Sequence, residues 1–175
     1  MKRLPIVASM LLVSVQVLGA QTCKPNSISA STPGAEFNDN GDGTVTDIKT
    51  GLMWKKCSEG LSGNSCAVGT ANTYTWKQAL QLVATINSGS GFAGYKDWRL
   101  PNIAELSSII EDQCVVPAVN LTIFPNTAAG GYWSSTPVAD DPNQAASAWV
   151  GDFMNGLRGV QPKTNSYEVR LVRGQ

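Results

Sequence analysis

Four cysteines, Cys23, Cys57, Cys66 and Cys114, constrain this chain more than any other feature, because its N-terminus marks it for an oxidising compartment. Met1-Lys2-Arg3 is followed by an apolar stretch from Leu4 to Leu18 and by small Gly19-Ala20 before polar Gln21. Charged, apolar and small residues in that order form the pattern of a secretory signal peptide, expected to be cut near Ala20. Pro5, Ser9, Ser14 and Gln16 interrupt the run, which falls short of the roughly 20 apolar residues that a membrane span needs. An uncleaved anchor is the alternative, and a lipid-modified Cys23 a third reading that Gln21-Thr22 disfavours. An even number of cysteines in an exported chain reads as disulfides. Cys57 and Cys66 flank a Gly/Ser-rich loop and are paired locally. Cys23 is then left for Cys114, a long closure that would pin the N-terminus to the body. Zinc is the competing use of the four, opposed by the absence of any CxxC spacing and of any histidine.

Beyond the leader the chain has the length of one domain, enough to bury a real core. Without Lys2 and Arg3 its charges balance slightly to the acidic side. That argues against a nucleic-acid partner, since a phosphate-binding face needs a basic excess. No second apolar run is long enough to span a membrane.

Residues 21–35 are rich in Ser, Thr, Pro and Gly and read as an irregular lead-in; residues 36–175 form the domain. Asn38-Asp39-Asn40-Gly41-Asp42-Gly43 is dense in turn formers. Thr44–Ile48, the turn Lys49-Thr50-Gly51 and Leu52–Lys56 then read as a β-hairpin. Thr75 and Gln78 have the spacing of a capping box, and Trp76, Ala79, Leu80, Val83 and Ile86 follow at helical period. Asn102 and Glu105 repeat the box ahead of Leu106, Ile109 and Ile110, which predicts a second, shorter helix. After Cys114 prolines and glycines punctuate short runs, with strands expected at Tyr132–Ser135, Ala146–Val150, Arg158–Gln161 and Tyr167–Val172. The order is hairpin, two helices, then loops and short antiparallel strands, an α+β domain.

Several motifs resemble one family. Phe37-x-Asp39-Asn40-Gly41-Asp42-Gly43-Thr44-Val45-Thr46-Asp47 with Thr50-Gly51-Leu52-Met53-Trp54 is similar to the opening signature of the Lcl C-terminal domain family. Trp98-Arg99-Leu100-Pro101, Glu105-Leu106, Phe124-Pro125, Tyr132-Trp133-Ser134-Ser135-Thr136 and Val169-Arg170-x-Val172-Arg173 continue the likeness in order, so that it covers residues 36–173. The resemblance implies a bacterial exported domain of C-type-lectin-like fold, related to the formylglycine-generating enzyme superfamily. It also implies ligand binding: one member is the C-terminal domain of a collagen-like adhesin associated with glycosaminoglycans. Others look like variable binding proteins whose diversity falls between the Trp-Ser-Ser segment and the last strand. Glycines of period three are missing here, which removes the adhesin's collagen stalk.

The expected site is the loop-rich stretch 132–166. Its candidate ligand-binding residues are Asp140, Asp141 and Asn143; Trp149; Asp152, Phe153, Asn155 and Arg158; and Lys163 and Asn165. Polar loops on a rigid scaffold are where binding residues concentrate, though each of these could also be a solvated connection. The ligand class implied is a glycan or a surface protein, with a structural role in the cell envelope or a pilus as the alternative. Asn38, Asn40 and Asp42 alternate like the first half of a calcium loop, but Lys49 stands where a bidentate Glu is needed. A turn satisfied by its own side chains is therefore the preferred reading, and no cofactor is expected. Asp97, Arg99, Glu105 and Arg170 read as a structural charge network, and Trp54, Trp76, Trp98 and Trp133 as core or scaffold, with Trp149 open. Catalysis finds little footing: without histidine no Ser-His-Asp or Cys-His set exists. The reactive cysteine pair of the related enzymes lies in their C-terminal part, whereas the last cysteine here is Cys114.

Overall fold

The computed structural model describes residues 20–138 and 145–174. The chain opens with β1 (Thr22–Cys23), a 3-10 turn at Gly34–Glu36 and three short strands, β2 (Phe37–Asp39), β3 (Thr44–Asp47) and β4 (Met53–Lys55). The turn between β2 and β3 is set by Gly41 and Gly43 at φ 76° and 88°. Asp39 Oδ1 accepts from the Gly41 amide at 3.0 Å and Asp42 Oδ1 from the Thr44 amide at 3.0 Å. In the turn from β3 to β4 the buried Asp47 carboxylate accepts from the Lys49 amide at 2.9 Å and the Thr50 hydroxyl at 2.6 Å. The expected hairpin therefore forms, and β2 extends it at its far edge.

A small hairpin follows, β5 (Leu61–Ser62) and β6 (Val68–Gly69), then β7 (Thr73–Tyr74), α1 (Trp76–Asn87) and α2 (Ile103–Ser108). Both helices carry the capping box that their sequence predicts, Thr75 with Gln78 and Asn102 with Glu105. The packed stripe of α1 is Trp76, Ala79, Leu82, Val83 and Ile86, whereas Leu80 turns outward and is 40% exposed. The stripe centres between Ala79 and Val83, which places Leu82 nearer the sheet than Leu80.

The second half contains β8 (Cys114–Val115), β9 (Gly131–Pro137), β10 (Ser147–Asp152), β11 (Leu157–Pro162), β12 (Tyr167–Glu168) and β13 (Val172–Arg173). The strands form a five-stranded sheet of order β11-β10-β9-β12-β7 and a four-stranded sheet of order β13-β4-β3-β2. All pairings are antiparallel except β12 with β9, where Glu168 pairs with Tyr132 in parallel. The single strand expected over 167–172 is thus two. Between them Val169 O accepts from the Glu59 amide and Leu171 O from the Lys55 amide, both at 2.9 Å. The chain leaves one sheet and enters the other through this buried segment. Val169 and Leu171 pack in a cluster with Trp98, Trp133, Ala148 and Val150. Leu106, Trp54, Phe124, Tyr132, Phe153 and Val172 belong to the second cluster. Gly151 is needed where α2 crosses β10, because a Cβ there would lie 2.9 Å from Leu106 Cδ2. Among the described residues no helix is long and apolar enough to cross a membrane.

Both disulfides form as expected, Cys57–Cys66 and Cys23–Cys114. The lead-in is less irregular than its composition predicts. β1 pairs with β8, and Gln21 Nε2 donates to the carbonyls of Pro117 and Val119. The Glu111 carboxylate accepts from the Ser31 and Thr32 amides at 3.0 Å each and from the Thr32 hydroxyl at 2.8 Å. Burial pushes the pKa of Glu111 up, but these hydrogen bonds outweigh it and the net shift is downward. A lowered carboxylate pKa contributes stability above the ordinary value of 4.5, and that contribution is lost as pH falls through the folded value. Glu111→Ala should therefore cost about 2–3 kcal/mol at pH 7 in urea unfolding. The gap to the wild type should shrink when the titration is repeated at about pH 3.5. An undiminished gap would mean that the carboxylate is not what holds the lead-in.

Candidate functional site

The register of β9, β10 and β11 sorts their side chains onto two faces. Asp152 pairs with Gly131 and Leu157, Val150 with Trp133 and Gly159, and Ala148 with Gln161, so these share one face. Trp149 pairs with Val160 and Gly151 with Tyr132 and Arg158, which assigns those positions to the other face. On the first face Trp133, Ala148 and Val150 pack in one cluster with Ala79 of α1. Tyr167 lies edge-on against Trp133, with ring centroids 5.1 Å apart.

Beyond Tyr167 the face is open. A cleft of about 390 Å³ is lined by Gly130, Gly131, Asp152, Met154, Leu157, Arg158, Gly159, Gln161 and Tyr167, with Val150 beneath. Glycines make the room. A Cβ at Gly131 would stand 2.5 Å from Tyr167 Cδ1, so only glycine lets that ring lie against the sheet. At Gly159 a Cβ would meet nothing within 4 Å, so the missing side chain is open cleft. Met154 and Leu157 stand at the rim, 50% and 63% exposed. The turn joining β10 and β11 is built by its own polar groups. Asp152 Oδ1 accepts from the Met154 amide at 2.8 Å, Asn155 Oδ1 from the Leu157 amide at 3.1 Å, and Gly156 sits at φ 77°. By register Arg158 belongs to the other face, and it borders the cleft from the edge strand β11; among the described residues it makes no ion pair.

Of the residues expected at the site, Asp152 and Arg158 line the cleft together. Phe153 does not: it is fully buried, its ring 4.7 Å from that of Tyr132. Its amide donates to Gly130 O, which turns the residue into the core at the start of the turn. Trp149 is half-buried on the opposite face. Asn155 is spent on the turn. Lys163 places its ammonium 4.6 Å over the Trp76 ring and 2.8 Å from Ala145 O. Asn165 reaches Gln161 at 3.3 Å. Asp140, Asp141 and Asn143 lie outside the described residues. Tyr167, Gln161, Met154, Leu157 and the floor glycines are the lining that the loop reading misses. Glycine inside a strand pattern marks a close approach of some group to the backbone, and Gly159 carried that signal.

The alternating polar residues near residue 40 serve the turn. Asn40 Nδ2 donates to the Thr44 and Thr46 hydroxyls at 2.8 and 3.0 Å, and Asp42 Oδ1 accepts from the Thr44 hydroxyl at 2.6 Å. Asn38 remains exposed on β2. Among the described residues no three His, Cys, Asp or Glu side chains are grouped to hold a metal. The expected charge network separates into two surface pairs and a buried cation. Arg99 grips Glu105 through two hydrogen bonds of 2.7 Å, and Arg173 grips Asp97 at 2.8 and 3.0 Å. Arg170 is buried apart from both.

A family model described as the Lcl C-terminal domain matches residues 43–173. The chain belongs to the Lcl C-terminal domain family. The matched span contains the whole cleft and both sheets except β2, which precedes it. In this Lcl C-terminal domain the Trp133-Ser134-Ser135 motif forms the spine of β9: Trp133 Nε1 donates to Tyr74 O at 2.7 Å and Ser134 Oγ to Trp149 O at 2.7 Å. These family residues hold the sheet, and the cleft is carried on it. No curated protein matches the chain significantly.

Proposed function

We propose that this Lcl C-terminal domain is the binding module of an exported bacterial protein, of C-type-lectin-like fold, and that it recognises a glycan or protein ligand in the cleft between Tyr167 and Arg158. The observation that carries the reading is the cleft itself. It combines an aromatic wall, two exposed apolar rim residues, one carboxylate, an arginine with no ion pair among the described residues, and a glycine floor. Clefts of this size, mostly apolar with a few placed polar groups, are the usual form of ligand sites. Tyr167 offers a ring for stacking on a sugar or an aliphatic side chain, and Arg158 and Asp152 supply one donor and one acceptor. Binding without chemistry fits the lining, because Asp152 is its one carboxylate among the described residues and glycoside hydrolysis takes two. Two disulfides suit an oxidising, extracytoplasmic location, and the reading requires no cofactor.

The test is a binding screen of the purified domain on immobilised bacterial and host glycans and on a displayed peptide library. Arg158→Ala should weaken any specific hit at least about tenfold, the loss expected of one charge-assisted contact. Trp149→Ala should leave affinity unchanged, since Trp149 does not line the cleft. The reverse pattern would move the site. No hit in either library would favour a structural role in the envelope.

A further inference from the structure

A second cavity, of about 330 Å³, opens on the other sheet. Its walls are the turn Gly41-Asp42-Gly43, the disulfide loop Leu61–Asn64 with Cys57, the Phe92 ring and Lys55. The lysine is the unusual member. It is 8% exposed, its Nζ lies 2.6 Å from Glu59 Oε1, and the same ammonium sits 4.2 Å from the centre of the Phe92 ring. Glu59 is itself 5% exposed and does not line the cavity. A buried ion pair is stable only when its remaining protons find acceptors. An ammonium has three N–H groups, and among the described residues Lys55 has Glu59 as an ion-pair partner without a formed hydrogen bond. A donor is therefore presented to the cavity beside an aromatic ring, a leucine and a disulfide.

The charges select the ligand further. Glu59 neutralises Lys55, and Asp42 at the wall adds a carboxylate, tied through Oδ1 to Thr44. An anion entering here would meet net negative charge in spite of the lysine. We propose that this cavity is a second binding site, separate from the Tyr167–Arg158 cleft, for a small uncharged ring compound that carries a hydroxyl or carbonyl acceptor for Lys55. The ring packs against Phe92, Leu61 and the Cys57–Cys66 bridge, and its oxygen accepts from Nζ.

Amide chemical-shift titration of the intact domain with benzyl alcohol and with benzoate tests this, because the two probes share a ring and differ in charge. Benzyl alcohol should shift Gly43, Leu61, Asn64 and Phe92 in a saturable way. Benzoate should bind at least about tenfold more weakly. Asp42→Asn keeps an oxygen for Thr44 while removing the charge, and should narrow that gap. Arg158→Ala should leave both titrations unchanged, so failure here is distinct from failure of the cleft. The proposal is overturned if benzyl alcohol leaves those amides unmoved, or if benzoate binds as tightly as the alcohol.

Discussion

Arg170→Met should destabilise the domain by at least about 3 kcal/mol, although methionine fills much of the same volume. Arg170 is fully buried and among the described residues has no carboxylate partner within ion-pair distance. Oxygens of the surrounding chain solvate it instead. Nη1 donates to the carbonyl of Lys56, and Nη2 to Thr127 Oγ1 at 2.7 Å and Ser58 Oγ at 3.2 Å. The guanidinium carbon is 4.6 Å from the centre of the Phe124 ring. Burial pulls its pKa down, but arginine starts so high that it stays charged. Methionine would strand these acceptors in the core, and each stranded group costs about 1–3 kcal/mol. Arg170→Lys should recover little, because a single ammonium cannot span sites that a planar fork reaches. Equilibrium urea unfolding measures both variants. A loss below about 1 kcal/mol for Arg170→Met would show that water replaces the guanidinium.

The two disulfides should differ in an order that their positions in the fold conceal. Cys57–Cys66 borders the inner cavity, whereas Cys23–Cys114 joins two peripheral strands of two residues each. Cross-links act largely through the unfolded chain, and the entropy removed grows with the loop closed. The sequence separations are 9 and 91 residues. By that relation, losing the short closure costs about 2.7 kcal/mol and the long one about 4.6 kcal/mol. The paired variants Cys57→Ser/Cys66→Ser and Cys23→Ser/Cys114→Ser, unfolded in urea side by side, should show the peripheral bridge to be worth more. Glu111 holds Ser31 and Thr32 independently of that bridge, so the lead-in should stay docked without it and the loss should be one of entropy. Equal losses, or a larger one for the short loop, would mean that native-state packing sets the scale.

What could be read from the residues was local. Thr75 with Gln78 and Asn102 with Glu105 declare their helices within four positions, and both boxes form. The hairpin at 44–55 is equally local, since Asp47, Thr50 and Gly51 carry its turn. Disulfide pairing followed from one short loop and elimination. Non-local pairing was not legible. Nothing near Thr22 announces β8, and nothing in Tyr167–Val172 says that the chain changes sheets after Glu168. The cleft depends on that change, because Tyr167 reaches Gly131 only through the parallel pairing of β12 with β9. Loop composition pointed to the third of the chain that carries the cleft, and two of the residues it named, Asp152 and Arg158, line it. It overvalued Phe153, whose ring packs in the core against Tyr132.

Gly159→Val tests the central claim most directly, because it fills the cleft while leaving its walls in place. The position is open for 4 Å around a built Cβ, its backbone is not in the left-handed region, and valine suits a strand. Unfolding free energy should stay within about 0.5 kcal/mol of the wild type. Affinity for whatever glycan or peptide the screen returns, measured by calorimetry on both proteins, should fall at least about tenfold. A folded Gly159→Val that binds as tightly as the wild type would contradict the assignment of this cleft as the binding site.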